Sequence, residues 1–593
     1  MMIQLSFALV SLLAVNATPV HTGAPVLAPA IEGEDEGQKE ELLLAIYDLR
    51  AILPRIDVKG WEQSLMLPPA GRGRHHLPEA GSDKGGFYAS SSGDVIMKII
   101  SRALEDEFLE RGRDLSLQDE QSLLLLAPQT THAKVEGIVN ALRGMASDAA
   151  VVRVDILSSS DPSQKLPANN VVAASEVDRI IAQAGSSMHH ESFELQLEPG
   201  RTTLMDQRET ISLLFDYDVE IAQGAFVFDP VVLQTQEGLR ILMRASPAGG
   251  GLAMNCVFQT SQVDQNENHP IRLAGMVNRE DACMAMVQGP QVLQNPSVLV
   301  HSFSVNTFLP DGKALLFASE TVLAGEIQRQ VIAVRKVQGN MGPYISHPIA
   351  GTGRRLLMVN AELFRSPMIA TTEGPYRGDF RANHPLLTSS LQSEPSHFFL
   401  GWMRNFAVWD RLGPWVLIVT DRSWDGDNEK KLEALVNSRQ ESPALASVEI
   451  ELQASAGDRP VRCSLPIRVG SQAGLAVGKT RTVLFDFNVE VAAFSAVADP
   501  MMLSTFDGMA VTLSVLEGRG LERVLVVDGA AHLVRKQPSE IHLQGSVLGR
   551  LELPRYDILK LDERRTLPGS DGANRVKLGP ASDDNLVLNV TVK

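Results

Sequence analysis

Hydrophobic positions along the chain follow two periods. From Lys134 to Arg143 (KVEGIVNALR), Val135, Ile138, Val139 and Leu142 recur at i, i+3, i+4 and i+7, the stripe of an amphipathic helix. Elsewhere the period is two. Phe215, Tyr217, Val219 and Ile221 alternate with Asp216, Asp218 and Glu220, which predicts a half-buried strand with one wet face. Phe485, Phe487, Val489 and Val491 alternate in the same way with Asp486, Asn488 and Glu490. Asp229-Pro230 and Asp499-Pro500 are expected to break these strands, because proline cannot donate to a ladder. Gly238 and Gly508 stand where turn residues are expected before the next apolar alternation.

The two alternating stretches are copies of each other. Residues 214–243 and 484–513 align without a gap at an offset of 270, and 12 of the 30 positions are identical. A second match lies upstream, where Lys134 to Arg143 corresponds to Lys431 to Gln440 (KLEALVNSRQ) at an offset of 297. Each of these helical segments follows an apolar run, Ser122 to Ala127 (SLLLLA) or Pro414 to Thr420 (PWVLIVT). Each precedes a second one, Ala149 to Leu157 (AAVVRVDIL) or Ser447 to Leu452 (SVEIEL). The common order is strand, helix, strand, then the β block. Such self-similarity predicts two tandem units with a seam near residues 340–355. The expected fold class is α+β: two copies of a small α/β module, each followed by a β-rich module. Leu42 to Pro54 reads as the strand and turn that open the first α/β module, with a Gly- and Pro-rich loop, Gly60 to Tyr88, inserted after it.

These stretches resemble the secretins, the ring-forming outer-membrane proteins of bacterial secretion and pilus systems. SLLLLAPQTTHAKVEGIVNALRG followed by VVRVDIL looks like their periplasmic N-domain, a strand, a signature-bearing helix and a strand. Val305 to Phe317 (VNTFLPDGKALLF) looks like a glycine-bearing hairpin of the secretin core, with Phe317, Ala318 and Ser319 in place of its final glycines. The resemblance covers roughly residues 115–320 and, more faintly, 410–593. No segment after Ser319 matches the pore-domain lip, and the duplication is itself unlike a pore-forming secretin. The resemblance implies an exported, non-enzymatic protein whose work is protein–protein assembly in the periplasm or at the outer membrane. It also implies self-association into a ring or scaffold and a link to protein secretion. Two other readings compete: a pore-forming outer-membrane secretin subunit, and a hydrolase with a loop-built site.

Composition narrows the choice. The 593 residues are 44% hydrophobic and 21% charged, enough apolar content for about four globular cores. With 54 basic against 71 acidic residues the formal charge is −17, which argues against a nucleic-acid partner. Residues 1–17 read as a signal peptide, with an apolar core from Leu5 to Val15 and small residues at Val15 and Ala17 before the cleavage point. The expected order is then a linker over 18–40, a first N-like module over 41–158 and a first β-rich module over 159–339. A second N-like module follows over 340–452 and a second β-rich module over 453–593. Membrane contact is expected to be peripheral at most.

Candidate chemistry is sparse. Ala473 to Thr480 (AGLAVGKT) fits a relaxed phosphate-loop pattern, but a strand-like segment follows it where the chemistry needs a helix N-terminus, so a hairpin turn is expected. Asp216, Asp218 and Glu220 share a strand face, with residues two apart separated by nearly 7 Å, too far for convergent calcium ligation. His75-His76 and His189-His190 are adjacent pairs read as surface residues. Cys256, Cys283 and Cys463 lack zinc spacing. Either Cys256 pairs with Cys283, or all three are small buried thiols. Trp402, Trp409, Trp415 and Trp424 are expected in the core of the second α/β module. No catalytic, cofactor-binding or metal-ligating residue is assigned, and no cofactor is expected.

Overall fold

The computed structural model of the chain describes residues from 41 to 593, apart from 53–91, 361–405 and a number of shorter stretches, mostly loops. The signal-peptide and linker expectations, the loop at Gly60 to Tyr88, His75-His76 and Trp402 fall outside the described residues. Within them the fold is mostly β, in several antiparallel sheets with no closed barrel among them.

One body is built around helices. It opens with β1 (Leu42–Asp48), α1 (Ser92–Ala103), the single turn α2 (Glu105–Phe108), β2 (Asp114–Gln118), β3 (Ser122–Pro128) and α3 (Gln129–Ser147). The strands pair in the order β1-β3-β2. The predicted stripe Val135, Ile138, Val139 and Leu142 is fully buried, as are Val95, Ile96, Ile99 and Ile100 of α1. Tyr47 on β1 is tied to α3 by a 2.8 Å hydrogen bond with Nδ1 of His132, whose Nε2 meets the Leu43 carbonyl oxygen at 2.9 Å.

The next stretch supplies β4 (Ala150–Ser159), β5 (Val171–Ala173), α4 (Ala174–Ala184), β6 (His189–Leu197), β7 (Thr202–Ala222) and β8 (Ala225–Ala248). It continues through β9 (Gly251–Asp264), β10 (Asn268–Arg279), β11 (Ala282–Gln294), β12 (Ser297–Pro310), β13 (Lys313–Leu323) and β14 (Glu326–Gln338). Then β15 (Tyr344–Ile349), β16 (Arg354–Asn360), β17 (Phe406–Leu412) and β18 (Trp415–Thr420) form a sheet in the order β15-β16-β18-β17. This sheet covers the other side of α1 and α3, and Leu356, Met358, Trp415, Leu417 and Val419 join the same core. The first unit's helices and this four-stranded sheet of the second unit therefore share one apolar interior. Trp415 and Trp424 are buried, as expected of core tryptophans.

After α5 (Gly426–Ser438) the chain adds β19 (Leu445–Ala454), β20 (Val461–Arg468), β21 (Ser471–Ala492) and β22 (Ser495–Glu517). It ends with β23 (Arg523–Leu543), β24 (Ser546–Leu567), β25 (Asn574–Leu578) and β26 (Leu586–Val592). Strands from both units build two large sheets. One runs β7-β8-β9-β12-β21-β22-β23-β24, with the hairpin β10–β11 attached to the start of β22 through Gly275–Val277. The other runs β25-β26-β19-β20-β13-β14-β4-β6. Their facing residues form a single core. Ile241, Met243, Phe258, Phe303, Leu475, Val511 and Leu513 come from the first sheet, and Val152, Val154, Phe317, Ile332, Ile450, Leu465 and Val590 from the second. This is a β-sandwich, in which alternate residues of each strand point into the shared layer.

Several local expectations change. The strand after each helix leaves the helix's own sheet: β4 and β19 enter the sandwich, whereas β3 and β18 stay with the helices. The α/β modules are thus not closed strand–helix–strand units. Pro230 and Pro500 do not break strands but lie inside β8 and β22. Among the described residues both sit where those strands pair on one side only: β9 joins β8 from Gly238 onward, and Pro500 lies between the β10 pairing at Ser495–Val497 and the β23 pairing from Gly508 onward. A missing donor on a one-sided stretch costs little. Gly238 and Gly508 are likewise mid-strand rather than turns, with φ of +127° and +153°. AGLAVGKT is neither a phosphate loop nor a turn: it is the straight start of β21, hydrogen-bonded on both sides. Val305 to Phe317 is not a hairpin within one sheet. It crosses between layers at Asp311-Gly312, β12 lying in one sheet and β13 in the other.

Candidate assembly interface

The duplicated β block folds into the same object twice. In the hairpin β7–β8 the register shifts between Leu214 and Asp216, leaving Phe215 as the bulged residue. In β21–β22 it shifts between Leu484 and Asp486, leaving Phe485. Beyond the bulge Tyr217 faces Pro230 and Phe487 faces Pro500; Asp218 faces Asp229 and Asn488 faces Asp499. Each equivalent pair differs by 270, as in the sequence alignment. A bulge kept at one position in both copies is a built feature, because it sets the bend and twist of the strand.

The equivalence extends through both layers. The first unit contributes β7-β8-β9-β12 to one sheet and β6-β4-β14-β13 to the other. The second contributes β21-β22-β23-β24 and β20-β19-β26-β25 in the same orders. The units meet edge to edge twice. In one layer β12 pairs with β21 over Val298–Val305 against Ala473–Thr480; in the other β13 pairs with β20 from Ala318 to Glu320. The sheets are continuous across this junction.

Polar side chains pin it. Asn170, buried between the units, donates from Nδ2 to the Leu316 carbonyl at 2.7 Å, while the hydroxyls of Ser447 and Ser464 donate to its Oδ1. Glu320 takes a 2.5 Å bond from Arg329 and lies 3.9 Å from Arg462 of the second unit, which also bonds Glu451 at 2.7 Å. His301 on β12 and Ser319 on β13 meet at 2.6 Å and link the layers at the junction.

Burial pushes the His301 imidazole down to about 4. The folded protein holds it neutral, whereas the unfolded chain takes up a proton near pH 6.5. Its contribution is complete above pH 6.5 and is lost as the pH falls toward 4, a difference of about 3 kcal/mol. The expected result is a steep fall in urea midpoint between pH 6.5 and 4 that is visibly flatter in His301→Gln.

The other candidate residues do not converge. His189 and His190 lie on β6 rather than in a loop and diverge, His189 to Glu191 at 2.9 Å and His190 to the buried Asp155 at 3.1 Å. Asp155 is also approached by Arg153 and Arg335 and helps hold α4 to the sheet through Arg335 and Asp178. Asp218 and Glu220 are exposed. No group of metal-ligating side chains occurs among the described residues. Cys256 and Cys463 are free and buried, and desolvation raises both thiols; Cys256 therefore has no disulfide to Cys283. No helix among the described residues is long and apolar enough to cross a membrane. The junction residues Asn170 and His301 carried no sequence signal, since isolated polar residues in apolar strands become informative only once their neighbours are known.

No protein family and no curated protein matches the chain. Among solved structures it is similar to the secretin-domain β-barrel of InvG from the Salmonella SPI-1 injectisome. Identity is 14%, over 42% of this chain and 81% of that one, with a TM-score of 0.19. It is also similar to the type II secretin GspD of enteropathogenic Escherichia coli, at 12% identity over 42% and 86% of the two chains, with a TM-score of 0.20. A third similarity is to the AspS–GspD pilotin–secretin complex of ETEC, at 10% identity over 42% and 60%, with a TM-score of 0.18. Scores this low transfer no function, and what the chain does has to come from its own junction.

Proposed function

We propose that the chain is an exported, non-enzymatic, secretin-related assembly protein that acts in the periplasm or at the outer membrane in the service of protein secretion. One observation carries this: two copies of the repeated unit join side by side, edge to edge, in both layers of the sandwich. A unit built to pair laterally with its own duplicate is a unit for assembly. The secretin-like stretches at Ser122 to Leu157 and Val305 to Phe317 support the export and secretion parts of the proposal. The domain order expected from the sequence, a leader and linker followed by two N-like and β-rich pairs, belongs to it as well.

Size-exclusion chromatography with light scattering on the chain lacking residues 1–17 tests the proposal. Multiples of the chain mass that grow with concentration are expected. A strictly monomeric species up to millimolar concentration refutes assembly.

A further inference from the structure

Asp229-Pro230 and Asp499-Pro500 stand at equivalent places in the two units, inside β8 and β22, where Asp229 faces Asp218 and Asp499 faces Asn488. In the first unit this pairing works against the hairpin. Asp218 and Asp229 are direct cross-strand neighbours, so their Cβ atoms lie about 5 Å apart, and like charges placed opposite each other destabilise a strand pair. Glu220, two residues further along β7, adds a carboxylate to the same face. Asp218, Glu220, Asp229 and Pro230 are all exposed. Among the described residues β7 alone pairs with this part of β8, so water reaches the residues on both sides of the Asp229-Pro230 bond.

We propose that this bond is a self-cleavage site, cut by the Asp229 carboxylate with Asp218 as the acid. The side chain of an aspartate closes a five-membered ring on its own main-chain carbonyl carbon. A carboxylate oxygen of Asp229 forms the new C–O bond, the C–N bond to Pro230 breaks, and residue 229 is left as a cyclic anhydride. Proline suits the leaving role, because its nitrogen belongs to a tertiary amide, and that nitrogen takes up a proton as it departs. The protonated carboxyl of Asp218 gives that proton as a general acid. One water then opens the anhydride: its hydroxyl restores a carboxyl at residue 229 and its proton returns to Asp218. The sum is hydrolysis of one peptide bond, with a free α-carboxyl on Asp229 and a free secondary amine on Pro230.

The duplication supplies a comparison inside the same molecule. Asn488 stands opposite Asp499 where Asp218 stands opposite Asp229, and an amide has no acidic proton to give. Asp499-Pro500 is therefore cut more slowly than Asp229-Pro230. Asn488 also shows that the hairpin accepts asparagine at this position, so Asp218→Asn leaves the fold in place. The cut itself leaves Thr202–Tyr217 paired with Pro230–Arg244, and the two fragments stay together until the protein is denatured. Each bond is cut once and no second molecule is turned over, so the event is independent of the assembly function proposed above.

The test is to hold the full chain at a mildly acidic pH where circular dichroism shows the strands intact, and to follow it by denaturing gel and intact-mass spectrometry. Fragments ending at Asp229 and beginning at Pro230 are expected. They should form about a hundredfold faster than in urea at the same pH, a factor within reach of a positioned general acid. Asp218→Asn should slow this cut to the rate at Asp499-Pro500, and Asn488→Asp should raise the second site toward the first. Asp229→Asn and Pro230→Ala should each abolish the first cut. Asp161-Pro162, whose aspartate follows the end of β4 outside the strand pairs, reports the unassisted rate in the same sample. A cut at Asp229-Pro230 no faster than in urea overturns the assignment, and so does one unchanged by Asp218→Asn. Either result reduces the site to the acid lability that any Asp-Pro bond shows.

Discussion

Replacing Phe317 with alanine is expected to cost about 4 kcal/mol, the largest loss from a single truncation in the sandwich. Phe317 is fully buried on β13 and points from one sheet into two aromatic rings of the other. Its ring centroid lies 5.0 Å from Phe258 and 6.3 Å from Phe303, tilted at 48° and 47°. Truncation removes both contacts and opens a cavity that sheets fixed by continuous ladders cannot collapse to fill. Ala318 and Ser319, the next two residues, pair with the second unit, so the loss is felt at the junction as well as between the layers. A fall of about 10 °C in the sandwich's thermal transition is expected. Phe317→Leu should lose less than half as much. The double variant with Phe258→Ala should fall short of the sum of the single losses by about 1 kcal/mol, because the two rings share one contact. A loss of under 1 kcal/mol for Phe317→Ala would mean that the layers are not in register at this point.

Much of the local structure was legible because it depends on neighbours a few residues apart. The helix stripe at Val135, Ile138, Val139 and Leu142 is a short-range pattern and is buried as expected, and the stretch from Phe215 to Ile221 lies in a strand as its alternation predicts. The offset of 270 read between the two stretches recurs in the registers of the two hairpins. Helix α1 carries a stripe of the same kind at Val95, Ile96, Ile99 and Ile100. What period alone could not supply was the assignment of strands to sheets. β4 follows α3 directly and reads as its partner, yet it pairs with β14 and β6. Such choices are settled by contacts far apart in the chain, such as β12 with β21. Pro230 and Pro500 misled for a related reason: the cost of proline depends on whether a second neighbour exists, and only the sheet order reveals that.

The same long-range order explains why the candidate chemistry dissolved. A phosphate loop at Ala473 to Thr480 needs exposed amides, whereas here those amides belong to strand ladders with β12 and β22. The glycines in that stretch serve packing. A Cβ on Gly478 would come within 2.4 Å of the Asp507 carbonyl oxygen and 2.8 Å of the Gly508 Cα. Glycine marks a close crossing of two strands here, not a ligand cradle.

That crossing yields the second large effect. Gly508→Val is expected to destabilise the sandwich by about 4 kcal/mol, from the positive φ and the overpacking together. At φ +153° the new Cβ would meet the Val477 carbonyl oxygen at 2.3 Å and Gly478 Cα at 2.5 Å. These are backbone atoms, so relief requires the β21–β22 pair to part, and the ladder continues on both sides of the site. Gly238 has the same surroundings in the first unit: its Cβ would lie 2.2 Å from the Gln207 carbonyl oxygen and 3.1 Å from Arg208 Cα. Because Gln207 and Val477 differ by 270, as do Gly238 and Gly508, the two substitutions test one design twice. Each should lower the urea midpoint substantially. Gly238→Val should be the milder, because β7 is an edge strand that can move away, whereas β21 is held by β12 on its far side. Equal and negligible losses at both sites would show that the shared backbone crossing does not hold the two units in their common form.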